Sequence, residues 1–252
     1  MIKRYATSAV VAALIIATPA VYGTFAASDY VITDPSDYFL FSLGSALPLL
    51  FTFFAALLYV PVVLQETRSL GWLPIMARRG RVRYALSHVA RPAAFGALAF
   101  GASIAFAAFW AFVVVPRSGW VTYSPGERMH PFTQQMTFSQ FAQPGVWVFV
   151  LFLVVWVGFH GALYSVLFAA LAMHLRNPFL AIIAGPAVLF LIGTALAIAR
   201  LEVFMPDNAA LPTDLIQGPV IQPMMTTGIM VLVVVGIVVY TTWSPRAPRA
   251  LQ

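Results

Sequence analysis

Side chains able to do chemistry are few in this chain and widely spaced. Four histidines, at positions 88, 130, 160 and 174, are the groups whose ordinary pKa lies near neutrality. Only His160 lies deep in an apolar run, VWVGFHGALYS. An ionisable group at such a depth is costly and invites a functional reading, as a pathway residue. The plainer reading is a neutral imidazole hydrogen-bonded to a neighbouring helix. Ser165 follows His160 by five residues, a spacing that puts the two on different helix faces. No GxSxG element is present, so a serine hydrolase is not assembled. No two histidines share a depth that would hold a haem, and the apolar runs contain no acidic pair for carboxylate chemistry. The absence of cysteine removes disulfides, thiolate metal sites and thiol nucleophiles. No metal site and no catalytic residue are expected. The one lysine, Lys3, lies in no GxxxxGK[ST] loop, so any ATP that drives this protein is hydrolysed on another chain.

What remains is a cluster of charge. The stretch 66–92, ETRSLGWLPIMARRGRVRYALSHVARP, holds six of the thirteen arginines: Arg68, Arg78, Arg79, Arg81, Arg83 and Arg91. Ser69 can cap a helix beginning at Leu70, Pro74 is tolerable in a first turn, and Gly80 suits a C′ position. Trp72, Ile75, Met76 and Arg79 recur at i, i+3, i+4 and i+7, which places them on one stripe. A loop that merely fixes orientation needs only arginines. A capped, tryptophan-bearing amphipathic segment preceded by Glu66 points further, to docking on a partner.

The elements around this elbow are set by composition. The chain is 61% hydrophobic and 9% charged, with a mean hydropathy of +0.89. A soluble domain carries about 25% charged residues. The apolar surplus is too large for a core of this size and must face lipid. Six runs are long enough to span, at about 5–27, 38–64, 93–115, 146–173, 179–199 and 224–243. The first could instead be a cleaved leader with small residues near Ala26-Ala27-Ser28, but it is long for one. Pro48 and Pro61 lead to an expected kink in the second run, and Gly185-Pro186 to one in the fifth. The third is rich in Ala, Phe and Gly, which allows close helix packing. Two polar segments, 117–145 and 200–223, lie between runs. Four prolines break the second of these into pieces too short to span, and Leu215–Met225 is apolar enough to dip into the bilayer.

Charge orients the runs. With both termini and the 66–92 elbow inside, eleven of the fourteen basic residues are cytoplasmic, and seven of the eight acidic residues lie outside. The positive-inside rule is met strongly. The net charge of +6 is then topological, suited to anionic lipid headgroups and not to nucleic acid. The expected architecture is one all-α transmembrane domain over 1–252. It has six helices, cytoplasmic termini, a cytoplasmic helix between spans two and three, and re-entrant outer helices before span six.

The chain resembles the permease subunits of ABC-2-type transporters. The resemblance rests on Glu66-Thr67-Arg68-Ser69-Leu70-Gly71-Trp72, followed by Arg78-Arg79-Gly80-Arg81-Val82-Arg83-Tyr84-Ala85-Leu86-Ser87. It extends to Ala162-Leu163-Tyr164-Ser165 and the turn Leu175-Arg176-Asn177-Pro178. In that family a coupling helix between spans two and three sits in a cleft of a separate nucleotide-binding subunit. The resemblance implies that Glu66, Arg68, Gly71, Trp72, Ile75, Met76, Arg78, Arg79, Arg81 and Arg83 couple to an ATPase that carries the ATP and magnesium. It implies a second permease copy or a paralogue, a place in the cell's cytoplasmic membrane, and export of a hydrophobic or amphiphilic compound by alternating access. The rival is a non-transport polytopic protein, a sensor or assembly factor that uses its outer segments for binding.

Overall fold

The computed structural model describes residues 2–44, 47–68, 81–124, 138–175, 177–211 and 219–243. Nine α-helices lie among them. They are α1 (Ile2–Ala26), α2 (Pro35–Leu43), α3 (Leu47–Arg68), α4 (Arg81–Phe109), α5 (Val115–Ser118), α6 (Val146–Ala172), α7 (Pro178–Ile198), α8 (Pro206–Ala210) and α9 (Ile221–Trp243). A π-helical turn, Trp110–Val114, joins α4 to α5. Among the described residues the extended pairing is one bridge, Ile32 to Tyr123, with the Ser124 amide donating to the Ile32 carbonyl at 2.9 Å. Five stretches are long and apolar enough to cross a membrane: Tyr5–Asp29, Leu86–Ser118, Val146–Ala172, Pro178–Ile198 and Ile221–Thr242. The protein is an all-α, multi-pass membrane protein.

The expected second span at 38–64 is not one rod. Asp34 caps α2 by accepting from the amides of Ser36 and Asp37 at 2.7 and 2.9 Å, and Pro35 occupies the first turn. At the other end of α2 the Gly44 amide donates to the Phe41 carbonyl. A new helix, α3, begins at Leu47, so Pro48 falls in its first turn, where the missing N–H would have had no helical partner. Pro48 therefore starts a helix and does not kink one. Pro61 and Pro186 stay inside α3 and α7. The apolar part of α3, Leu50–Glu66, is shorter than the five spanning stretches.

Side-chain contacts give each helix a direction. Tyr5 stacks on Phe95, the Ser103 hydroxyl donates to the Ile15 carbonyl, and the Trp110 indole donates to Thr24, so α1 and α4 run parallel. Phe51 meets Phe100, Tyr59 meets Phe95, and Glu66 meets His88, so α3 is antiparallel to α4. Gly101 and Gly96 face Gly158 and Gly161, so α6 is antiparallel to α4 too. Two contacts made in the same order, described below, set α9 parallel to α6. Tyr38, Phe39, Phe51, Phe100, Tyr164 and Phe168 are fully enclosed at the centre.

The tightest seam is between α4 and α6. A Cβ added at Gly96 would collide with the Gly161 carbonyl. One added at Gly161 would lie 2.6 Å from a Phe100 ring carbon and 2.7 Å from the Gly96 carbonyl oxygen. Gly158 faces the Ala97 carbonyl at 3.0 Å on the same basis. Small residues bring the two backbones together, which gains dispersion contacts where lipid offers no hydrophobic drive. The expectation of close packing from the third run is met here.

Candidate functional site

Where α3 ends and α4 begins, Glu66 Oε2 lies 3.0 Å from His88 Nε2, and Glu66 Oε1 lies 3.9 Å from Arg91 Nη1. The Glu66 side chain is 9% exposed and that of His88 1%, while Arg91 is 44% exposed. The His88 contact is set by distance more than by hydrogen-bond alignment. α4 begins at Arg81, well before the apolar part of span three. The second half of the elbow is therefore helical and continuous with the span. That continuity carries His88 and Arg91 to the end of α3, three residues apart on one face. Arg83 lies exposed on the first turn of α4. Of the other expected coupling residues, Gly71, Trp72, Ile75, Met76, Arg78 and Arg79 lie outside the described residues, as do Ser69 and Gly80. Arg68 and Arg81 are placed by their helical backbone alone.

His160 is fully buried, and both ring nitrogens are engaged. Nδ1 lies 3.0 Å from the Trp156 carbonyl, and Nε2 lies 3.0 Å from the Thr227 hydroxyl of α9. A carbonyl can only accept, so the proton of a neutral ring belongs on Nδ1, and Nε2 takes the Thr227 O–H. The Thr227 oxygen also lies 2.7 Å from the Pro223 carbonyl, a second acceptor for the same proton. This geometry matches a satisfied packing histidine. Ser165 turns away, donating to the Ala55 carbonyl of α3 at 3.4 Å. Just past the end of α6, His174 Nε2 meets Thr241 of α9 at 3.0 Å, and Thr241 donates to the Ile237 carbonyl. Burial lowers the pKa of His174.

His160 is the middle of a column that its four-residue spacing stacks on α6: Phe152, Trp156, His160, Tyr164 and Phe168. Successive ring centroids lie 5.8, 4.8, 6.5 and 6.1 Å apart. The polar tips of the column hold α8. The Trp156 indole donates to the Ala209 carbonyl at 2.9 Å, and the Tyr164 hydroxyl donates to the Pro206 carbonyl at 3.1 Å. Arg200, left-handed at φ 59, ends α7 and turns the chain back toward this place. Pro206, Ala209, Ala210 and Leu211 are buried there. Asp207 enters with them, and its Oδ1 is buried with no hydrogen-bond partner among the described residues. Burial pushes its pKa up from 3.8 to about 6.

Asp207, Trp156 and Thr227 were not singled out by sequence reasoning, and Tyr164 entered only as part of the family resemblance. The usable signals were the four-residue aromatic spacing and the PDNAA turn after a proline. Among the described residues no group of three or more His, Cys, Asp or Glu could hold a metal ion. No protein-family model, no curated protein and no solved structure matches the chain.

Proposed function

We propose that the chain is the membrane-spanning permease subunit of an ATP-driven transporter of the ABC-2 type. Its hydrophobic or amphiphilic cargo would be exported by alternating access across the cytoplasmic membrane. In this reading α1, the broken α2–α3 rod, α4, α6, α7 and α9 are six crossings with both termini cytoplasmic. The alternating directions of α1, α3, α4 and α6, with α9 parallel to α6, support that count. The α8 region is the outer segment that re-enters before the last span.

The observation that carries the reading is the α3–α4 hairpin. Its two ends are tied by Glu66, His88 and Arg91, directly beside the arginine-rich connection 69–80. A lever driven by a partner must not flex where it joins the bundle. A buried acid held against a histidine and an arginine supplies that stiffness. A nucleotide-binding subunit would press on Trp72, Ile75 and Met76, with Arg78, Arg79, Arg81 and Arg83 facing its acidic residues or lipid headgroups. ATP and magnesium belong to that subunit, and a second permease copy or a paralogue completes the pathway.

The test is purification from native membranes with ATP hydrolysis as the readout. Trp72→Glu combined with Arg79→Glu should remove the hydrolysis that co-purifies with the wild type, at equal expression and an unchanged melting temperature. Equal hydrolysis in wild type and variant would overturn the docking role. No hydrolysis in either would favour a sensor or assembly factor built on the outer segments.

A further inference from the structure

We infer that Asp207 is a proton-binding site that decides whether α8 stays seated among α3, α6, α7 and α9. The inference does not rest on the transport reading. It starts from an imbalance. α8 is held on one side by two side-chain hydrogen bonds to its carbonyls, from Tyr164 and Trp156. The same five-residue helix carries a carboxyl whose Oδ1 is buried and lacks a hydrogen-bond partner among the described residues.

Among the described residues the surroundings offer no compensating cation. α7 and α9 contain no charged residue, and the titratable group of α9, Tyr240, lies against His174 at the far end. α6 offers His160, whose nitrogens are taken by Trp156 and Thr227, and Tyr164, whose proton goes to Pro206. The charged and titratable residues of α3 are Tyr59, Glu66 and Arg68, and Glu66 is held against His88 where α3 ends. In the preceding turn Glu202 is exposed, and so is Arg200 before it. No ion pair to Asp207 occurs among the described residues. A half-buried carboxylate with one oxygen sealed from water, and no counter-charge among the described residues, is costly, and taking a proton relieves that cost. A proton needs no cavity, unlike a larger cation.

Seating and protonation are therefore linked. The seated carboxyl has its pKa raised from 3.8 to about 6, and release to water restores the ordinary value. Below both values the two states are protonated and pH has no effect. Between them the released form gives up a proton that the seated form keeps, so seating weakens about tenfold per pH unit as pH rises. Above both values the dependence is flat again. Acid seats α8, and neutral pH loosens it.

The absence of cysteine makes the test clean. A Leu211→Cys variant puts one thiol at a position 1% exposed when α8 is seated. Its labelling by a charged maleimide in lipid nanodiscs is divided, at each pH, by that of a Ser28→Cys variant, whose site is exposed. The normalised rate should rise at least about tenfold between pH about 4 and about 6.5, then level off. Adding Asp207→Asn, a neutral isostere, should hold it low and flat. A flat profile with Asp207 intact, or a rise that survives Asp207→Asn, overturns the proposal. If Asp207→Asn does not fold, hydrogen exchange of amides 207–211 in the unsubstituted chain decides, after correction for intrinsic exchange. Protection independent of pH there would equally overturn it.

Discussion

α6 meets two very different partners. Toward α4 it presents Gly158 and Gly161, and the backbones come so close that an added methyl has nowhere to go. Toward α8 and α9 it presents Trp156, His160 and Tyr164, and contact is made by individual hydrogen bonds between side chains and opposing oxygens. The first surface is steric and leaves little room for adjustment. The second is a short row of discrete links, each able to break without disturbing its neighbour. Sealed packing suits the static part of a membrane protein, and separable polar links suit the part that moves.

Substitutions can break this contrast from either side. Gly161→Leu should have the largest effect, because its side chain would meet Phe100 and the Gly96 carbonyl. We expect loss of monodisperse protein on size-exclusion chromatography in detergent. Gly161→Ala should fold with a cost of about 2–4 kcal/mol, read as a lowered denaturation midpoint. Second comes Glu66→Leu at the α3–α4 clamp, which leaves His88 buried against an apolar group. It should cost about 3 kcal/mol, and a His88→Leu, Glu66→Leu double variant should recover part of that.

On the polar face the effects shrink. Thr227→Val removes one link to His160 and should cost about 1 kcal/mol, with the double-mutant cycle to His160→Leu placing most of it in that pair. Thr241→Val at the partly exposed His174 link should cost about 0.5 kcal/mol. Here pH sharpens the comparison. Burial favours the neutral ring of His174, so the native state binds fewer protons than the unfolded chain. Its contribution is complete above the ordinary value of 6.5 and is lost as pH falls below it. The Thr241→Val penalty should change between pH about 7 and about 5, while that of Gly161→Ala should not.

Much of the steric face was legible beforehand. Glycine and alanine crowd the third run and flank His160 in VGFHGA, and small residues have one main use in such helices. The partner of Glu66, His88, was hidden because 66–92 read as an elbow between two spans, whereas its residues are helical from Arg81. DPSD before a run of aromatics is a readable helix start, overlooked because hydropathy alone joined 38–64 into one span. The polar face was harder. His160 and His174 are fourteen residues apart, and so are Thr227 and Thr241, but the match means something only once α6 and α9 are known to be neighbours. Asp207 read as one outer acid among seven. What buries it is the tertiary path of a proline-broken segment, which no local pattern encodes.

That doubled interval carries a mechanical consequence. The two imidazole-to-hydroxyl links sit about 21 Å apart along α9 at the ordinary helical rise. Sliding α9 lengthwise would sever both together, whereas rocking it about either one strains only the other. The bundle is thus biased toward pivoting over gliding, with two alternative fulcrums, one midway along α6 and one just past its end.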